Sequence, residues 1–407
     1  MRIAYIAPYQ GPTFFRTRPS LSNLGLAANV KIELISELLL QGGHSVEIIS
    51  QGEVVGPRWR FYPSATEVNP FHADIPVYYA SALPIRFVNG LWSGYRTLRL
   101  LRQRHHVSPF DLTIIYNLQH AQSMCGDHAV RRLRLPLVVE YEDDAFVNIK
   151  GNSDSGWRSR RNDQMARKTL DLASGGMAVS PHLLGQFPSS KPKLLLRGVV
   201  SDHILDASKQ KARRNWVVYS GTHTRNKGLE QLVAAWRELK LSGWELHIAG
   251  KGETTAALEK MAKGDASIRF HGLLNRRENA DFLSQAKIGI NPHQVSQIPG
   301  NVFAFKIIEY LAAGVHCVTT PMGALEAEIE AGVTYMNDNS PAIVAATLKR
   351  VIEERRYERT AAQAAQAQYG PIAVSNSLDR LLGEVMAAKA AKNQNPSAIA
   401  SRNCNSQ

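Results

Sequence analysis

Short apolar runs alternate with amphipathic stretches along most of the chain, and this alternation restricts the fold more than any other feature of the sequence. Such a pattern is typical of parallel sheets covered by helices on both faces. In the first half, strands are predicted at residues 2–8, 45–50, 112–116, 137–141 and 177–179, with a helix at 26–40. In the second half, strands are predicted at residues 216–220, 245–249, 268–271, 288–291 and 315–320. The sequence therefore predicts an α/β protein with two doubly wound domains.

The length of the chain also indicates two domains. Its 407 residues exceed what one hydrophobic core normally supports. We expect an N-terminal domain over residues 1–200, a linker over the polar stretch 201–214 and a C-terminal domain over residues 215–370. Residues 371–392 are predicted to form a helix that packs back towards the N-terminal domain, and residues 393–407 to be disordered. Ligands are expected in the cleft between the domains.

An excess of basic residues favours anionic partners. The 48 Lys and Arg residues outnumber the 35 Asp and Glu residues, which gives a net charge of +13. Nucleic-acid binding is not expected, because no helix-turn-helix, zinc-finger or aromatic RNA-binding signature accompanies this charge. Cys125, Cys317 and Cys404 give neither a disulfide framework nor a zinc cluster. Because the sequence lacks the pattern of a signal peptide and an apolar stretch of roughly 20 residues, we expect a cytoplasmic protein, with peripheral contact at the inner face of the membrane left open.

One predicted helix is both basic and amphipathic. Its apolar stripe consists of Leu91, Trp92, Tyr95, Leu98 and Leu101, and its other faces carry Arg96, Arg99, Arg102 and Arg104. A second basic cluster consists of Trp157, Arg158, Arg160 and Arg161. Helices of this kind can rest on an anionic membrane. A core-packed helix with solvated arginines is the open alternative.

The first strand of the second half ends in a glycine-containing, cationic loop. In open α/β sheets, ligands collect at the carboxyl ends of the strands. In the loop G-T-H-T-R-N-K-G, Gly221 allows a close approach of the backbone, and Arg225 and Lys227 can neutralise phosphate. The helix that begins near Gly228 offers free N–H groups to an anion. This loop predicts a diphosphate site, with an ordinary strand-to-helix turn as the alternative.

Two further segments could complete such a site. The strand at 245–249 is followed by Gly250, which either leaves room for a ligand or serves only as a turn residue. The segment K-I-I-E-Y-L-A-A-G places Lys306 and Glu309 on one helix face. A carboxylate there can accept hydrogen bonds from two vicinal hydroxyls of a sugar. A surface ion pair between Lys306 and Glu309 is the alternative.

Together, these elements resemble a known enzyme family. Residues 217–323 are similar to the retaining, nucleotide-sugar-dependent glycosyltransferases with the GT-B fold, of the bacterial group 1 or family 4 type that acts in polysaccharide biosynthesis. The resemblance rests on the ordered segments G-T-H-T-R-N-K-G, L-H-I-A-G-K-G, F-H-G-L-L, K-I-I-E-Y-L-A-A-G and V-T-T-P-M-G. It implies two Rossmann-like domains that face a central cleft. It also implies a hexosyltransferase that uses a nucleotide-diphosphate sugar and a sugar, glycan or lipid-linked acceptor.

The resemblance assigns roles to individual residues. It implies that Lys227 contacts the donor diphosphate and that Glu309 holds the nucleotide ribose, and these two are the predicted catalytic positions. Gly25, in a turn before the first long helix, would lie beside the donor phosphates. The sequence departs from the family at two positions: Asn301 replaces a glutamate of the loop that cups the sugar, and Thr222 replaces a phosphate-binding arginine.

These departures leave other functions open. Arg225 and Lys306 are predicted to bind the donor and could supply the missing charge. A nucleotide-sugar epimerase or a phosphorylase is one alternative, because one fold supports several chemistries. A nucleotide-sugar-binding homologue with weak catalysis is another.

Polar residues at strand ends of the first half predict the acceptor side. His120 follows the strand at 112–116, and Asp143 and Asp144 follow the strand at 137–141. Helix capping and burial are the alternative roles for these side chains. Nearby carboxylates could also bind Mg²⁺. We expect no metal cofactor, because the cationic diphosphate site would neutralise the donor.

Overall fold

The computed structural model describes residues 1–18, 26–52, 60–68, 70–85, 88–146, 157–209, 212–294, 303–323 and 325–394. The chain divides into two compact units. Unit 1 comprises Met1–Leu196 and Ser375–Gln407, and unit 2 comprises Arg197–Val374.

Unit 1 is built around a twisted sheet. Its strands are β1 (Arg2–Ile6), β2 (Ser45–Ser50), β3 (Ala65–Glu67), β4 (Val77–Tyr79), β5 (Leu112–Tyr116), β6 (Leu137–Tyr141), β7 (Gly175–Ala178) and β8 (Lys193–Leu195). They lie in the order β3-β4-β2-β1-β5-β6-β7-β8, with β3 antiparallel to β4 and the other pairs parallel. The helices are α1 (Pro12–Thr17), α2 (Leu26–Gln41), α3 (Asn89–Val107), α4 (His120–Arg131), α5 (Trp157–Leu172) and α6 (Pro181–Gly185). Every residue of β5 and β6 is buried, as expected for central strands covered on both faces.

Unit 2 contains a parallel sheet with the order β11-β10-β9-β12-β13-β14. Its strands are β9 (Trp216–Ser220), β10 (Glu245–Ala249), β11 (Ile268–Gly272), β12 (Ile288–Asn291), β13 (His316–Thr319) and β14 (Val333–Tyr335). The helices that begin in it are α7 (Asp202–Ala207), α8 (Leu229–Leu239), α9 (Thr255–Ala262), α10 (Arg276–Ser284), α11 (Lys306–Ala312), α12 (Ala327–Glu330), α13 (Pro341–Glu353), α14 (Ala362–Tyr369) and α15 (Pro371–Gln394). Alternate residues of β9 point to opposite faces, so Val218 belongs to one core and Val217 and Tyr219 to another.

All ten predicted strands are present. Six have the predicted bounds, and the other four differ by one or two residues at one or both ends. Helix α2 extends one residue beyond the predicted helix at 26–40. The strands β3, β4, β8 and β14 were not predicted, because three residues are too few to show a pattern.

The stretch predicted as a linker, residues 201–214, belongs to unit 2. Helix α7 lies within it, and Ile204 and Ala207 are buried in the core of the unit. Further along, Arg213 donates hydrogen bonds to the carbonyl groups of Ala286 and Ala313, which follow α10 and α11. Because α7 is short and buries only Ile204 and Ala207, the stretch was predicted as a polar linker. The boundary between the units falls instead between Leu196 and Arg197.

The C-terminal helix α15 covers the segment predicted at 371–392. From Ser375 onward it belongs to unit 1, where Asp379 lies 3.6 Å from the His44 imidazole. Residues 395–407 of the predicted disordered tail, with Cys404, lie outside the described residues. Among the described helices, none combines the length and the hydropathy that a bilayer span requires.

Candidate functional site

The carboxyl ends of β9 and β10 bring two glycines together in unit 2. The N–H group of Gly221 donates to the carbonyl of Ala249 at 3.1 Å. A Cβ atom on Gly250 would lie 1.8 Å from the carbonyl oxygen of Gly221. Gly250 is therefore needed for the close approach of the two loops, which is a backbone role.

The cationic loop after β9 ends in a single 3-10 turn, Arg225–Lys227. Gly228 joins this turn to α8 with a φ of 71°, in the left-handed region that glycine tolerates. A Cβ atom there would lie 1.8 Å from the carbonyl oxygen of Pro292. The turn is therefore packed tightly against the loop that follows β12.

Two lysines from different loops approach the end of β9. The Nζ atom of Lys227 lies 3.2 Å from Nε2 of His293. The Nζ atom of Lys306 lies 3.7 Å from the centre of the Tyr219 ring, is buried, and has no hydrogen-bond partner among the described residues. A Cβ atom on Gly221 would lie 2.6 Å from this Nζ atom. The Lys306 ammonium thus reaches into the space that glycine leaves open.

Burial and the charges of neighbouring side chains shift the pKa values of Lys306, Glu309 and His293. Burial lowers the pKa of Lys306 well below its usual value, Lys227 lowers it further, and Glu309 opposes the shift. Burial raises the pKa of Glu309 to about 7, against the opposing charge of Lys306. Burial, followed by the charge of Lys227, lowers the pKa of His293 to about 4, so His293 is neutral near pH 7. Lys306 is therefore close enough to both predicted catalytic residues for each to affect its ionisation.

Helix α11 positions Glu309. Ile307, Ile308 and Leu311 of this helix are buried in the core and leave Lys306 and Glu309 on the other face. The two do not form a direct ion pair, so the alternative of a surface pair does not describe them.

The remaining donor-side predictions fall at different places. Thr222 is half-buried, and its carbonyl oxygen accepts a hydrogen bond from the Tyr219 hydroxyl at 2.9 Å. Arg225 is exposed at the start of the 3-10 turn. Gly25 and Asn301 lie outside the described residues.

On the predicted acceptor side, Asp143 and Asp144 hold the loop after β6. Asn117 donates to the Asp143 carboxylate at 3.0 Å, and its own side-chain oxygen accepts from the Asp143 N–H group at 3.1 Å. Asp144 accepts from the Tyr141 hydroxyl at 3.3 Å and from the Gln186 amide at 3.2 Å. In these contacts the carboxylates stabilise the loop after β6, a role that differs from the helix capping given as the alternative.

His120 begins α4 and is half-buried. Its ring lies against α3, where a Cβ atom on Gly94 would be 3.1 Å from the His120 Cδ2 atom. Its Nε2 atom has no hydrogen-bond partner in the described part of the chain. Burial and then the charge of Arg161 lower the pKa of His120.

A buried charged cluster beside these acids was not predicted. Lys31 of α2 forms ion pairs with Glu140, at 3.5 Å, and with Glu142. The Tyr5 hydroxyl donates to Glu140. Burial raises the pKa of both carboxyl groups, that of Glu142 to about 8. The signal in the sequence was the spacing of two in E-Y-E at the end of β6, which predicts that Glu140 and Glu142 project to the same side of the extended chain. No cluster of metal-ligating side chains occurs within the described ranges.

Helix α3 buries only part of its predicted apolar stripe. Leu91 and Tyr95 of the predicted apolar stripe are 58% and 57% exposed. The buried residues are Ser93, Gly94, Thr97 and Leu101. The helix packs through small residues because α4 lies close by: a Cβ atom on Gly94 would be 2.9 Å from the sulfur of Met124.

The exposed side of α3 borders a groove of about 640 Å³. The groove is lined by Tyr95, Leu98, Arg99, Arg102, Gln103, His105, His106 and Leu133. Of the second basic cluster, Arg160 and Arg161 are exposed, and the side chains of Trp157 and Arg158 lie outside the described part of the structure.

Comparisons with known proteins connect this geometry to an enzyme class. Residues 214–354 match a family model described as "Glycosyl transferases group 1". Among curated proteins, no match was found.

Solved structures match nearly the whole chain. Sucrose-phosphate synthase from Thermosynechococcus elongatus has a TM-score of 0.70 and 16% identity, over 95% of this chain and 100% of that chain. A glycosyltransferase from Rickettsia africae has a TM-score of 0.65 and 13% identity, over 95% of this chain and 98% of that chain. HepE from Anabaena, in complex with UDP, has a TM-score of 0.63 and 14% identity, over 94% and 100%. These findings confirm the predicted GT-B fold, and with the family match they support the predicted glycosyltransferase superfamily.

Proposed function

We propose that this protein transfers a hexose from a nucleoside-diphosphate sugar to an acceptor hydroxyl group, with retention of configuration. The observation that supports this most directly is the pair of lysines at the end of β9. Lys306 holds a buried ammonium without an acceptor among the described residues, and Lys227 approaches from the neighbouring loop. A diphosphate would supply the acceptor that the Lys306 ammonium lacks among the described residues.

Glu309 is suited to the nucleoside part of the donor. Its carboxyl group is on the same helix face as Lys306, and burial raises its pKa to about 7. A carboxylate in this position can accept hydrogen bonds from two vicinal ribose hydroxyls. These hydrogen bonds would stabilise the buried carboxylate when the nucleotide sugar binds. The complex of HepE with UDP, on the same fold, supports a nucleoside diphosphate as the ligand.

In the proposed reaction, the lysines stabilise the departing nucleoside diphosphate. The bond between the anomeric carbon and the diphosphate oxygen breaks, and the acceptor oxygen forms its bond on the same face. The departing oxygen takes the proton of the acceptor hydroxyl. Lys227 and Lys306 stabilise the negative charge that develops on that oxygen, with Arg225 at the edge of the turn. This charge neutralisation is the basis for proposing a reaction that needs no metal ion.

A donor screen tests the proposal. Nucleotide sugars that bind the native state raise the melting temperature by mass action, and those that do can be assayed for transfer to glycan and lipid-linked acceptors. Lys227→Ala should weaken donor binding about tenfold or more, since a charge-assisted hydrogen bond contributes about 1.5–3 kcal/mol. Lys349→Ala, at an exposed lysine of α13, is the matched control.

Three outcomes of these assays would indicate a different function. Isomerisation of the donor without an acceptor would identify an epimerase. Donor cleavage with inorganic phosphate as the acceptor would identify a phosphorylase. Binding without transfer to any acceptor would identify a binding homologue. Unchanged donor affinity in Lys227→Ala would remove the proposed diphosphate site.

We further propose that the protein binds its acceptor at the cytoplasmic surface of an anionic membrane. The reaction would then contribute to the assembly of cell-surface polysaccharide or glycolipid. Helix α3 supports this. Leu91, Tyr95, Arg99, Arg102 and His106 are exposed and lie within about 80° of helical rotation. The helix contains no acidic residue. Exposed apolar and aromatic side chains beside arginines are the composition that binds anionic bilayer surfaces.

The apolar part of this surface continues beyond α3. Phe61 is 54% exposed and packs edge-on against Trp92, with ring centroids 6.3 Å apart. The Arg96 guanidinium lies 5.8 Å from the Trp92 ring centre. Aromatic rings with a polar or charged neighbour are suited to the level of the lipid headgroups.

Vesicle sedimentation tests the membrane surface. We expect the protein to bind vesicles that contain phosphatidylglycerol and not vesicles of phosphatidylcholine alone. The pair Arg99→Glu and Arg102→Glu should reduce binding tenfold or more, since each basic residue near the surface contributes about 1 kcal/mol. Lys349→Glu with Arg350→Glu makes the same change of charge on α13, where both residues are exposed. Equal loss in both pairs, or no binding by the unmodified protein, would favour a soluble glycan acceptor instead.

A further inference from the structure

The loop after β12 supports the turn that carries Lys227. The Pro292 carbonyl group faces Gly228, where a Cβ atom would be 1.8 Å from the oxygen. The N–H group of Gln294 donates to the Asn226 carbonyl at 3.0 Å. The side-chain amide of Asn339 donates a hydrogen bond to the Pro292 carbonyl at 3.2 Å and gives the loop a second contact. The backbone of this loop is therefore fixed on both sides of residue 293.

His293 lies between these two backbone contacts. It is 5% exposed, and its carbonyl oxygen accepts a hydrogen bond from the Thr320 hydroxyl at 2.9 Å. Its Nε2 atom is 3.2 Å from the Lys227 Nζ atom. An ammonium group only donates hydrogen bonds, so Nε2 must accept and the imidazole proton must be on Nδ1.

We propose that His293 is a positioning residue for donor binding. Its neutral imidazole accepts a hydrogen bond from Lys227 and holds that ammonium at the end of β9. The inference rests on the proposed role of Lys227 towards the donor diphosphate.

A neutral acceptor suits this position for two reasons. A lysine side chain loses rotamer freedom when a ligand orders it, and an existing contact reduces that loss on binding. A positive charge on Lys306 also repels Lys227, and the contact with His293 restrains Lys227 against this repulsion. A carboxylate would do this, but it would neutralise the charge that a diphosphate requires. Histidine holds the ammonium and adds no negative charge of its own.

Three substitutions at His293 separate the role of the contact from that of packing. UDP, ADP and GDP are the probes, and the one that binds the unmodified protein most tightly is used throughout. His293→Ala should weaken binding about tenfold. His293→Gln keeps an oxygen acceptor and should recover most of that loss. His293→Asp should bind more weakly than His293→Gln, because its charge competes with the diphosphate.

A double-mutant cycle tests whether His293 acts through Lys227. Lys227→Ala should weaken binding much less in the His293→Ala background than in the unmodified protein. Melting temperatures show whether each variant is folded. Nitrogen NMR of the imidazole provides a readout without ligand: Nε2 should be unprotonated, and its shift should move in Lys227→Met.

The outcomes distinguish this inference from the proposed function. If no nucleoside diphosphate binds, the proposed function fails, and the NMR measurement still reports on the pairing of His293 with Lys227. If the probe binds but His293→Ala binds it equally well, the positioning role is wrong. Equal binding by folded His293→Gln and His293→Ala, or additive effects in the cycle, would also overturn it.

Discussion

The Lys306 ammonium lies 3.7 Å from the centre of the Tyr219 ring, and no described residue offers it an acceptor. The face of an aromatic ring attracts a cation but does not neutralise it. The Tyr219 hydroxyl donates to the Thr222 carbonyl and does not form a hydrogen bond with Lys306. Burying an amine in this way costs stability when no anion is bound. The arrangement therefore makes sense as a site that an anionic ligand completes.

Lys306→Met should stabilise the ligand-free protein while it weakens donor binding. Methionine fills a similar volume without a buried amine, and removal of an unsatisfied buried polar group should raise the free energy of unfolding by about 1–3 kcal/mol. Binding of nucleoside diphosphates should fall at least tenfold. Urea unfolding and titration calorimetry measure the two effects. Lys349→Met should change neither, and a loss of stability in Lys306→Met would show that Lys306 already has a compensating partner.

Donor binding should be accompanied by proton uptake. Burial lowers the pKa of Lys306 in the free protein, and a bound diphosphate raises it, because a nearby negative charge favours the protonated form. Between the two pKa values the complex therefore holds more protons than its separate components. Calorimetry at one pH in buffers of different ionisation enthalpy measures this number, which we expect to be positive.

The same experiment on Lys306→Met provides the control for proton uptake. Glu309, with its pKa raised to about 7, can also take up a proton beside a diphosphate. The difference between the two proteins isolates the contribution of Lys306. If uptake is the same in both, Lys306 does not change its protonation on binding.

The sequence predicted the sheets better than the contacts between loops. The strands β5 and β6 are contiguous apolar runs, so their bounds could be predicted from the local pattern. His293 carried no such signal. It meets Lys227, 66 residues away, only because β9 and β12 are neighbours in the sheet. Strand order depends on tertiary packing, which local periodicity does not encode.

Other contacts between distant residues were missed for the same reason. Lys31 and Glu142 are 111 residues apart and meet because β6 ends near α2. By contrast, Lys306 and Glu309 were predicted together because their spacing of three defines a helix face. The burial of Ser93, Gly94 and Thr97 in α3 could not be predicted from the apolar pattern, because it depends on the packing of α4 against Gly94.

Gly228→Ala should destabilise the protein more than Gly243→Ala. Both glycines have a positive φ, 71° and 74°. Backbone strain from alanine should therefore destabilise the folded state by about 1–2 kcal/mol at either position. A Cβ atom at Gly243 meets nothing within 4 Å, whereas at Gly228 it overlaps the Pro292 carbonyl. Gly228→Ala should therefore also displace Lys227 and weaken donor binding. Thermal unfolding and donor titration of both variants test this, and equal effects would show that the two loops separate without cost.

Glu142 should make the stability of unit 1 fall as the pH rises. Its pKa is raised to about 8, mainly by burial, from a usual value near 4.5. Between these values the folded state holds a proton that the unfolded state has released, so the free energy of unfolding decreases with increasing pH. One such proton gives a slope of at most about 1.4 kcal/mol per pH unit. Glu142→Gln can still accept a hydrogen bond from Lys31 but cannot titrate, so its slope should be shallower.

The comparison needs a matched control in the same unit. Glu384→Gln removes an exposed carboxylate from α15 and should retain the slope of the unmodified protein. Urea unfolding at several pH values from about 5 to 8 gives the three slopes. Because Glu140 shares Lys31 and its own pKa is raised by burial, some dependence should remain in Glu142→Gln. If Glu142→Gln and Glu384→Gln have the same slope, Glu142 is ionised in the folded protein, and Lys31 alone compensates both buried carboxylates.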